Sequence, residues 1–184
     1  MKRIVTLLAA AAALVFGQEK SSEAPVKNVE LTVYLLSGVQ TAAADDVPAD
    51  LFSTVKQLHN LFAYKGYKLS ESFILRGRAD TARPGRLFRT EGVLPGSGLH
   101  YAFSYLNVRV SPEKPYMVHI DNLSISLNVP PAYGPDGKQR GNGTVASINT
   151  DLDLEDGQKT VVGKSSINTN GDALILVIVP KVIE

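Results

Sequence analysis

The sequence has no cysteine and no tryptophan, and only three of its 184 residues are histidine. Without cysteine, the protein cannot use disulfides, zinc–thiolate sites or a cysteine nucleophile. Neither sign of charge dominates, since 19 Lys and Arg balance 18 Asp and Glu and leave a net charge of +1. This balance argues against nucleic acid as a partner, because nucleic-acid-binding proteins are usually strongly basic.

The sequence also lacks an apolar run long enough to span a membrane. Its longest apolar run lies near the start. Lys2 and Arg3 precede an apolar stretch over residues 4–16, and Gly17 follows it. This layout predicts a secretory signal peptide over residues 1–17. The alternative, an uncleaved membrane anchor, is disfavoured because a bilayer core requires about 20 apolar residues. We expect an exported bacterial protein in the periplasm or at the periphery of the outer membrane.

The rest of the chain is predicted to form a flexible lead-in, residues 18–27, and a single domain, residues 28–184. A chain of this length buries about 70% of its unfolded surface, which is enough for one core. No later segment contains 18 consecutive apolar residues. The mature chain is therefore predicted to have no membrane-spanning segment.

Apolar periodicity predicts one helix among strands. Residues 28–36 alternate between apolar and polar side chains, as a strand does. A helix is predicted from about Pro48, with one apolar stripe that comprises Leu51, Val55, Leu58 and Phe62. Strand patterns dominate after it. The expected fold class is α+β, with one mainly antiparallel curved sheet or sandwich of about seven strands and a single amphipathic helix after the first strand.

Three strand patterns carry further expectations. Over residues 99–110 the apolar positions change phase, which predicts a bulge or a change of partners. Residues 117–129 predict a strand pair or one broken strand. The apolar run at residues 173–179 predicts a central strand beside the one at Val161 and Val162. Pro180 has no N–H group, so we expect it where the ladder ends.

One catalytic pattern occurs. Ser53 and Lys56 match the S-x-x-K signature of penicillin-recognising serine enzymes, with Ser147-Ile148-Asn149 and Lys159-Thr160 as partial matches to the other elements. The expected glycine after Lys159-Thr160 is replaced by Val161, and a helix interior is the wrong setting for the serine. A small serine hydrolase is therefore the least favoured hypothesis, and we predict that the protein is not an enzyme.

Metal sites and cofactors are not predicted. The acidic residues Asp151, Asp153 and Glu155 lack the glycine and the glutamate that a calcium loop requires, so a solvated strand face is favoured. The histidines, at positions 59, 100 and 119, lack the spacing of a metal-binding pair.

Five arginines lie close together in sequence: Arg76, Arg78, Arg83, Arg86 and Arg89. They could form a basic ridge that binds anionic lipid, anionic glycan or an acidic protein. The alternative is a solvated hairpin whose charges prevent edge-to-edge aggregation.

The C-terminal part, residues 147–183, resembles the end of the secretin homology domain of bacterial outer-membrane secretins. The match rests on residues 156–163, which read Asp-Gly-Gln-Lys-Thr-Val-Val-Gly, and on the apolar strand that ends in Pro180-Lys181-Val182-Ile183. Lys164 replaces a family glycine. The long insertion that builds the family's gate and spanning hairpins is reduced to residues 165–172, a turn. The resemblance implies a secretin-like sheet in an envelope protein without a pore.

These observations favour a non-enzymatic envelope protein that acts through protein contacts, with another envelope protein or its own copies as partner. The alternative is a periplasmic module that binds a small ligand between the helix and the sheet.

Overall fold

The computed structural model describes residues 27–41, 43–79, 87–130, 132–133, 135–136, 139–140, 143–167 and 171–183. The predicted signal peptide and most of the predicted lead-in lie outside these residues. In chain order the strands are β1 (Asn28–Val39), β2 (Gly66–Arg78), β3 (Phe88–Val93), β4 (His100–Tyr105), β5 (Asn107–Val110), β6 (Met117–Asn128), β7 (Ala132–Tyr133), β8 (Gln139–Arg140), β9 (Thr144–Glu155), β10 (Thr160–Ser166) and β11 (Ala173–Ile183).

Two antiparallel sheets form the body of the molecule. Sheet A has the order β10-β11-β1-β2, and sheet B has the order β3-β4-β6-β5, with β9 on the other side of β6. Strands β7 and β8 pair only with each other. The α+β prediction and its sandwich alternative are confirmed. The strand count of about seven is too low, because nine described strands form the two main sheets and the short β7–β8 pair is additional.

Among the described residues a single α-helix is present, and it follows the first strand, as predicted. A 3₁₀ turn, Ala49–Leu51, leads into α1, Phe52–Leu61. The helix packs on the outer face of sheet A, where Leu51, Val55 and Leu58 are buried against side chains of β1, β2 and β11. Phe62 is half-buried against the same cluster, so the apolar stripe is the one predicted. Within the described part of the chain, no helix has the length and apolar character to cross a membrane.

The main core lies between the sheets. Inward-facing side chains of β1 and β11 meet those of β4 and β6, and aromatic rings join the two layers. Phe73 of β2 stacks on Tyr101 of β4 with ring centroids 5.5 Å apart, and it meets Phe103 edge-on at 5.4 Å. A second cluster fills the space between α1 and the outer face of sheet A.

Strand β2 changes faces at a bulge. Leu35 of β1 pairs with Glu71 and Leu36 pairs with Leu69, so Ser70 is an extra residue in β2. An inserted residue reverses the alternation of side chains beyond it. Leu69 therefore packs under the helix, whereas Phe73 faces the core between the sheets.

The C-terminal strand is central, as predicted. Strand β11 pairs with β1 on one side and with β10, which contains Val161, on the other. The expectation for Pro180 was only half right. The ladder with β10 ends at Ile178, but the ladder with β1 continues through Pro180 to Ile183. The Pro180 carbonyl accepts a hydrogen bond from Gly157 N. Because N and C=O of one strand residue point the same way, the missing N–H lies outside the β1 ladder.

The two other strand predictions have different outcomes. The phase change over residues 99–110 is a break at Leu106 between β4 and β5, but both strands pair with β6 in one continuous register, so the predicted bulge or change of partners is not observed between them. Residues 117–128 form one strand, β6, with a register shift next to Asn122, which has φ of 49°. Strand β2 extends through Gly77 to Arg78.

Candidate functional site

The free edge of β2 is the candidate site. Strand β2 lies at the end of sheet A, and Ala79 N donates to Lys27 O at 2.9 Å. Bonded and non-bonded pairs alternate along an antiparallel ladder. The register of β1 and β2 therefore directs the backbone N–H and C=O groups of Ile74, Arg76 and Arg78 away from β1.

The first half of this edge is covered by the chain itself. Asp46 N donates to Tyr67 O at 2.8 Å, and Leu69 N donates to Asp46 O at 2.9 Å. The Asp45 carboxylate accepts from Tyr67 N at 2.9 Å, and His59 Nε2 lies 2.9 Å from its other oxygen. Residues 45–46 thus act as a short parallel partner for this half of β2.

The second half of the edge is open. The Ser72 N–H is capped by the carboxylate of the preceding residue, Glu71, at 2.8 Å. Beyond it, no strand among the described residues pairs with the outward edge. We call residues 74–78 the open segment. At about 3.3 Å per residue it offers roughly 17 Å of strand edge.

The open segment carries cations on its outer face. Register places Lys181, Glu30 and Arg76 side by side across β11, β1 and β2. Arg76 Nε donates to Glu30 Oε2 at 2.6 Å, yet the Arg76 side chain remains 72% exposed. Neither Arg78 nor Lys181 has an ion-pair partner among the residues that the structure describes. Lys181 and Arg76 therefore flank the Glu30 carboxylate, and Arg78 lies two residues beyond Arg76 on the same face of β2.

Apolar side chains alternate with these cations. Ile74 is 58% exposed on the outer face, one row above Arg76. On the inner face, Phe73 and Leu75 are only partly buried against the main core. The open segment thus combines unpaired backbone groups with apolar surface and positive charge.

The structure distributes the predicted basic ridge over two sheets. Arg76 and Arg78 lie on β2, whereas Arg89 lies on β3 in sheet B and forms an ion pair with Glu91. Arg83 and Arg86 lie outside the described residues. Binding of lipid or glycan by these arginines remains a prediction.

The elements of the serine-hydrolase pattern are not brought together. Ser53 and Lys56 are exposed on α1, outside sheet A, whereas Ser147 and Asn149 are exposed on β9 in sheet B. Lys159 instead reaches the 3₁₀ turn, where its Nζ lies 2.7 Å from the Asp50 backbone O.

The Asp50 carboxylate joins the turn before α1 to the strand beneath it. It accepts from the Tyr34 hydroxyl at 2.9 Å. Burial and this carboxylate together raise the pKa of Tyr34 to about 12. The contact fixes the start of the helix on β1.

The space between helix and sheet is filled. Leu51, Leu58 and Leu36 are fully buried there. The alternative hypothesis placed a small ligand between the helix and the sheet. Buried side chains occupy that space instead. We call Lys181, Glu30 and Arg76 the cationic row. An open cleft of about 600 Å³ lies elsewhere, between this row and residues 114–116.

A polar cluster on sheet B links β6 to β9. His119 Nδ1 lies 2.6 Å from Asp153 Oδ1, and His119 Nε2 lies 2.7 Å from Asp121 Oδ1. The hydrogen bond to Asp153 is the main cause that raises the pKa of His119, against the effect of burial. Asn107 and His119 hold the pKa of Asp121 below its usual value. No group of three possible metal ligands is found in the described ranges.

The acidic run has the predicted exposure, since Asp151, Asp153 and Glu155 all face solvent. The sequence analysis missed its contact with His119 and the roles of Glu30 and Lys181 in the cationic row. Only strand register brings Glu30 next to Arg76 and Lys181, and register between distant strands leaves no local signal.

No known protein family matches the sequence, and no curated protein matches it. Among solved structures, the chain is similar to the Salmonella SPI-1 type III secretion injectisome secretin InvG (residues 176-end, open gate state), with 11% identity and a TM-score of 0.39. It is also similar to the type II secretion system secretin GspD of E. coli K12, with 10% identity and a TM-score of 0.31.

Both similarities cover 86% of this chain, but they span 61% of the InvG chain and 50% of the GspD chain. The C-terminal sequence resembles the same family, the secretins. Identities this low concern the fold alone.

Proposed function

We propose that this is an exported bacterial envelope protein that acts without catalysis, through protein contacts, as a secretin-related assembly component without a pore. The pattern of residues 1–17 supports export. The resemblance of residues 156–163 and 173–183 to the secretin domain supports the type of assembly. The short connection between β10 and β11, where Ile167 N bonds Asp172 O, replaces the insertion that would build a gate.

The observation that carries the proposal is the open segment of β2. An exposed strand edge accepts a strand from another chain, since its backbone groups supply hydrogen bonds in a fixed register. The chain itself covers the other half of the same edge with residues 45–46. A contact at the open segment would complete the edge along its whole length.

Affinity purification of the tagged protein from its native envelope tests this proposal. The Ile74→Pro substitution removes the first outward N–H of the open segment, and edge positions of this kind tolerate proline. Ile74→Thr is the matched control, because it removes the large apolar side chain but keeps the N–H group and a strand-forming residue.

Partners or copies that bind this edge should co-purify with the native protein and with Ile74→Thr, and should be lost with Ile74→Pro. Thermal melts of all three proteins check that they remain folded. Recovery of the same proteins with folded Ile74→Pro would show that the contact lies elsewhere. A native protein that purifies alone and monomeric would contradict the proposal as a whole.

A further inference from the structure

We propose that the open segment binds an extended segment of another protein in which acidic residues alternate with apolar ones. This inference rests on the proposed contact function and names the chemistry of its partner. It follows from the two faces that a strand added to β2 would extend.

The outer face selects for acidic side chains. A strand paired with β2 places its outward side chains about 5 Å from those of its neighbour. The side chains of β2 that an added strand would meet at positions 76 and 78 are the guanidinium groups of Arg76 and Arg78. The Arg76 guanidinium contacts Glu30 through Nε, which leaves its terminal nitrogens without an ion-pair partner among the described residues, and the same holds for Arg78. Carboxylates pair with guanidinium groups through two parallel hydrogen bonds.

The inner face selects for apolar side chains. Phe73 and Leu75 belong to the main core but remain partly exposed at its edge, where sheet A ends. The inward residues of an added strand would cover them and continue the core by one strand. Because successive residues of a strand alternate between faces, the two requirements together specify alternating acidic and apolar residues.

The same cations could meet an anionic membrane, but the geometry favours a strand. Lipid head groups would need only the positive charge, and they would leave the backbone groups of Ile74, Arg76 and Arg78 unpaired. The cationic row also contains Glu30, which a planar anionic surface would repel. An added strand would pair with the open backbone groups of β2, contact its arginines and cover its partly buried apolar side chains.

Fluorescence anisotropy with defined peptides tests the inference on the purified protein. The probe is a labelled eight-residue peptide of alternating Glu and Val, and its matched control carries Gln in place of each Glu. Vesicles of phosphatidylglycerol provide the membrane arm. The variants are Arg78→Gln, Ile74→Pro and Lys56→Gln, the last of which removes the same charge from the exposed face of α1.

The Glu–Val peptide should bind at least about five-fold more tightly than the Gln–Val peptide, and about 0.5 M salt should abolish the difference. Arg78→Gln should weaken binding of the Glu–Val peptide by roughly two- to five-fold, the usual range for an exposed ion pair, and Lys56→Gln should not change it. Ile74→Pro should abolish binding of both peptides.

Equal affinity for the two peptides would overturn the inference. So would vesicle binding that requires Arg78 but survives Ile74→Pro, since that result identifies a membrane surface. If co-purification depends on residue 74 while neither peptide binds, the proposed contact function stands and the acidic partner is wrong. If both experiments give no binding, the proposed function fails as well.

Discussion

Leu69 and Phe73 lie four residues apart on β2 and face opposite sides of sheet A. Leu69 packs against the helix cluster, and Phe73 stacks on Tyr101 in the core between the sheets. The extra residue at Ser70 causes the reversal, and its hydroxyl lies 2.6 Å from that of Ser37 on β1. One strand therefore contributes to two separate cores.

We predict that the free-energy costs of Leu69→Ala and Phe73→Ala add, to within about 0.5 kcal/mol, because the two side chains share no packing partners. Urea unfolding of the single and double variants measures the sum. The pair Phe73→Ala and Tyr101→Ala should instead show a coupling of about 0.5–1.5 kcal/mol from the stacked rings. Coupling of that size between residues 69 and 73 would show that the two clusters act as one core.

The helix should depend on its buried leucine. Leu58 is fully buried, so Leu58→Ala should lower the free energy of unfolding by about 2–5 kcal/mol. Leu61 is 66% exposed on the same helix, and Leu61→Ala should change stability by less than about 0.5 kcal/mol. Chemical denaturation of the two variants is the measurement, and similar losses for both would refute the assigned face.

Stability should depend on pH through His119. Its pKa is raised in the folded state above the ordinary value of 6.5, mainly by Asp153. The folded protein therefore holds this proton more tightly than the unfolded chain does. The stabilisation is complete below about pH 6.5, and it disappears as the pH rises through the folded-state pKa.

The lowered pKa of Asp121 acts in the opposite sense, because its stabilisation is lost as the pH falls below the ordinary value of 3.8. The cluster thus stabilises the fold most between these two limits. Urea melts of the native protein and His119→Gln should differ most near pH 6 and converge at alkaline pH. A difference that stays constant over this range would show that His119 does not titrate as described.

The C-terminal strand should be essential for folding. Deletion of residues 173–184 removes β11 from between β10 and β1, and it exposes the buried faces of both neighbours. We expect the shortened protein to give no cooperative thermal transition. Deletion of residues 181–184 alone is the control and should still unfold cooperatively, because residues 173–180 keep their pairing with β1. A cooperative melt of the longer deletion near the native temperature would make the strand peripheral.

The exported form should begin at Gln18. The basic start, the apolar stretch of residues 4–16 and the small residue Gly17 place the cleavage there. Intact-mass spectrometry of protein from the envelope fraction measures the terminus. A mass that includes residues 4–16 would indicate a retained anchor.

The sequence predicted the elements whose signals are local. The spacing of Leu51, Val55 and Leu58 repeats with the helix period, and the apolar run at residues 173–179 is too long for a half-exposed strand. The fold contains both elements, and their apolar side chains are buried as the local patterns predict. The phase change near Leu106 was likewise readable, since a strand cannot change faces without a break.

Features that depend on distant pairing could not be predicted. Leu69 and Phe73 have the same parity, and nothing near Ser70 in the sequence reveals the bulge that separates them. Glu30, Arg76 and Lys181 become neighbours only through two ladders. Pro180 was expected where the ladder ends, but a proline interrupts only the ladder toward which its nitrogen points.

The pairing of β1 with β11 also governs when the protein can fold. Asn28 pairs with Ile183, so the ladder between β1 and β11 joins the first and the last described strands. Closing so long a loop makes folding slow, and the apolar face of β1 stays uncovered meanwhile. Sheet A therefore stays incomplete until residues 173–183 are available, whereas every strand of sheet B precedes them in the chain. We expect sheet A to be the last part of the molecule to close.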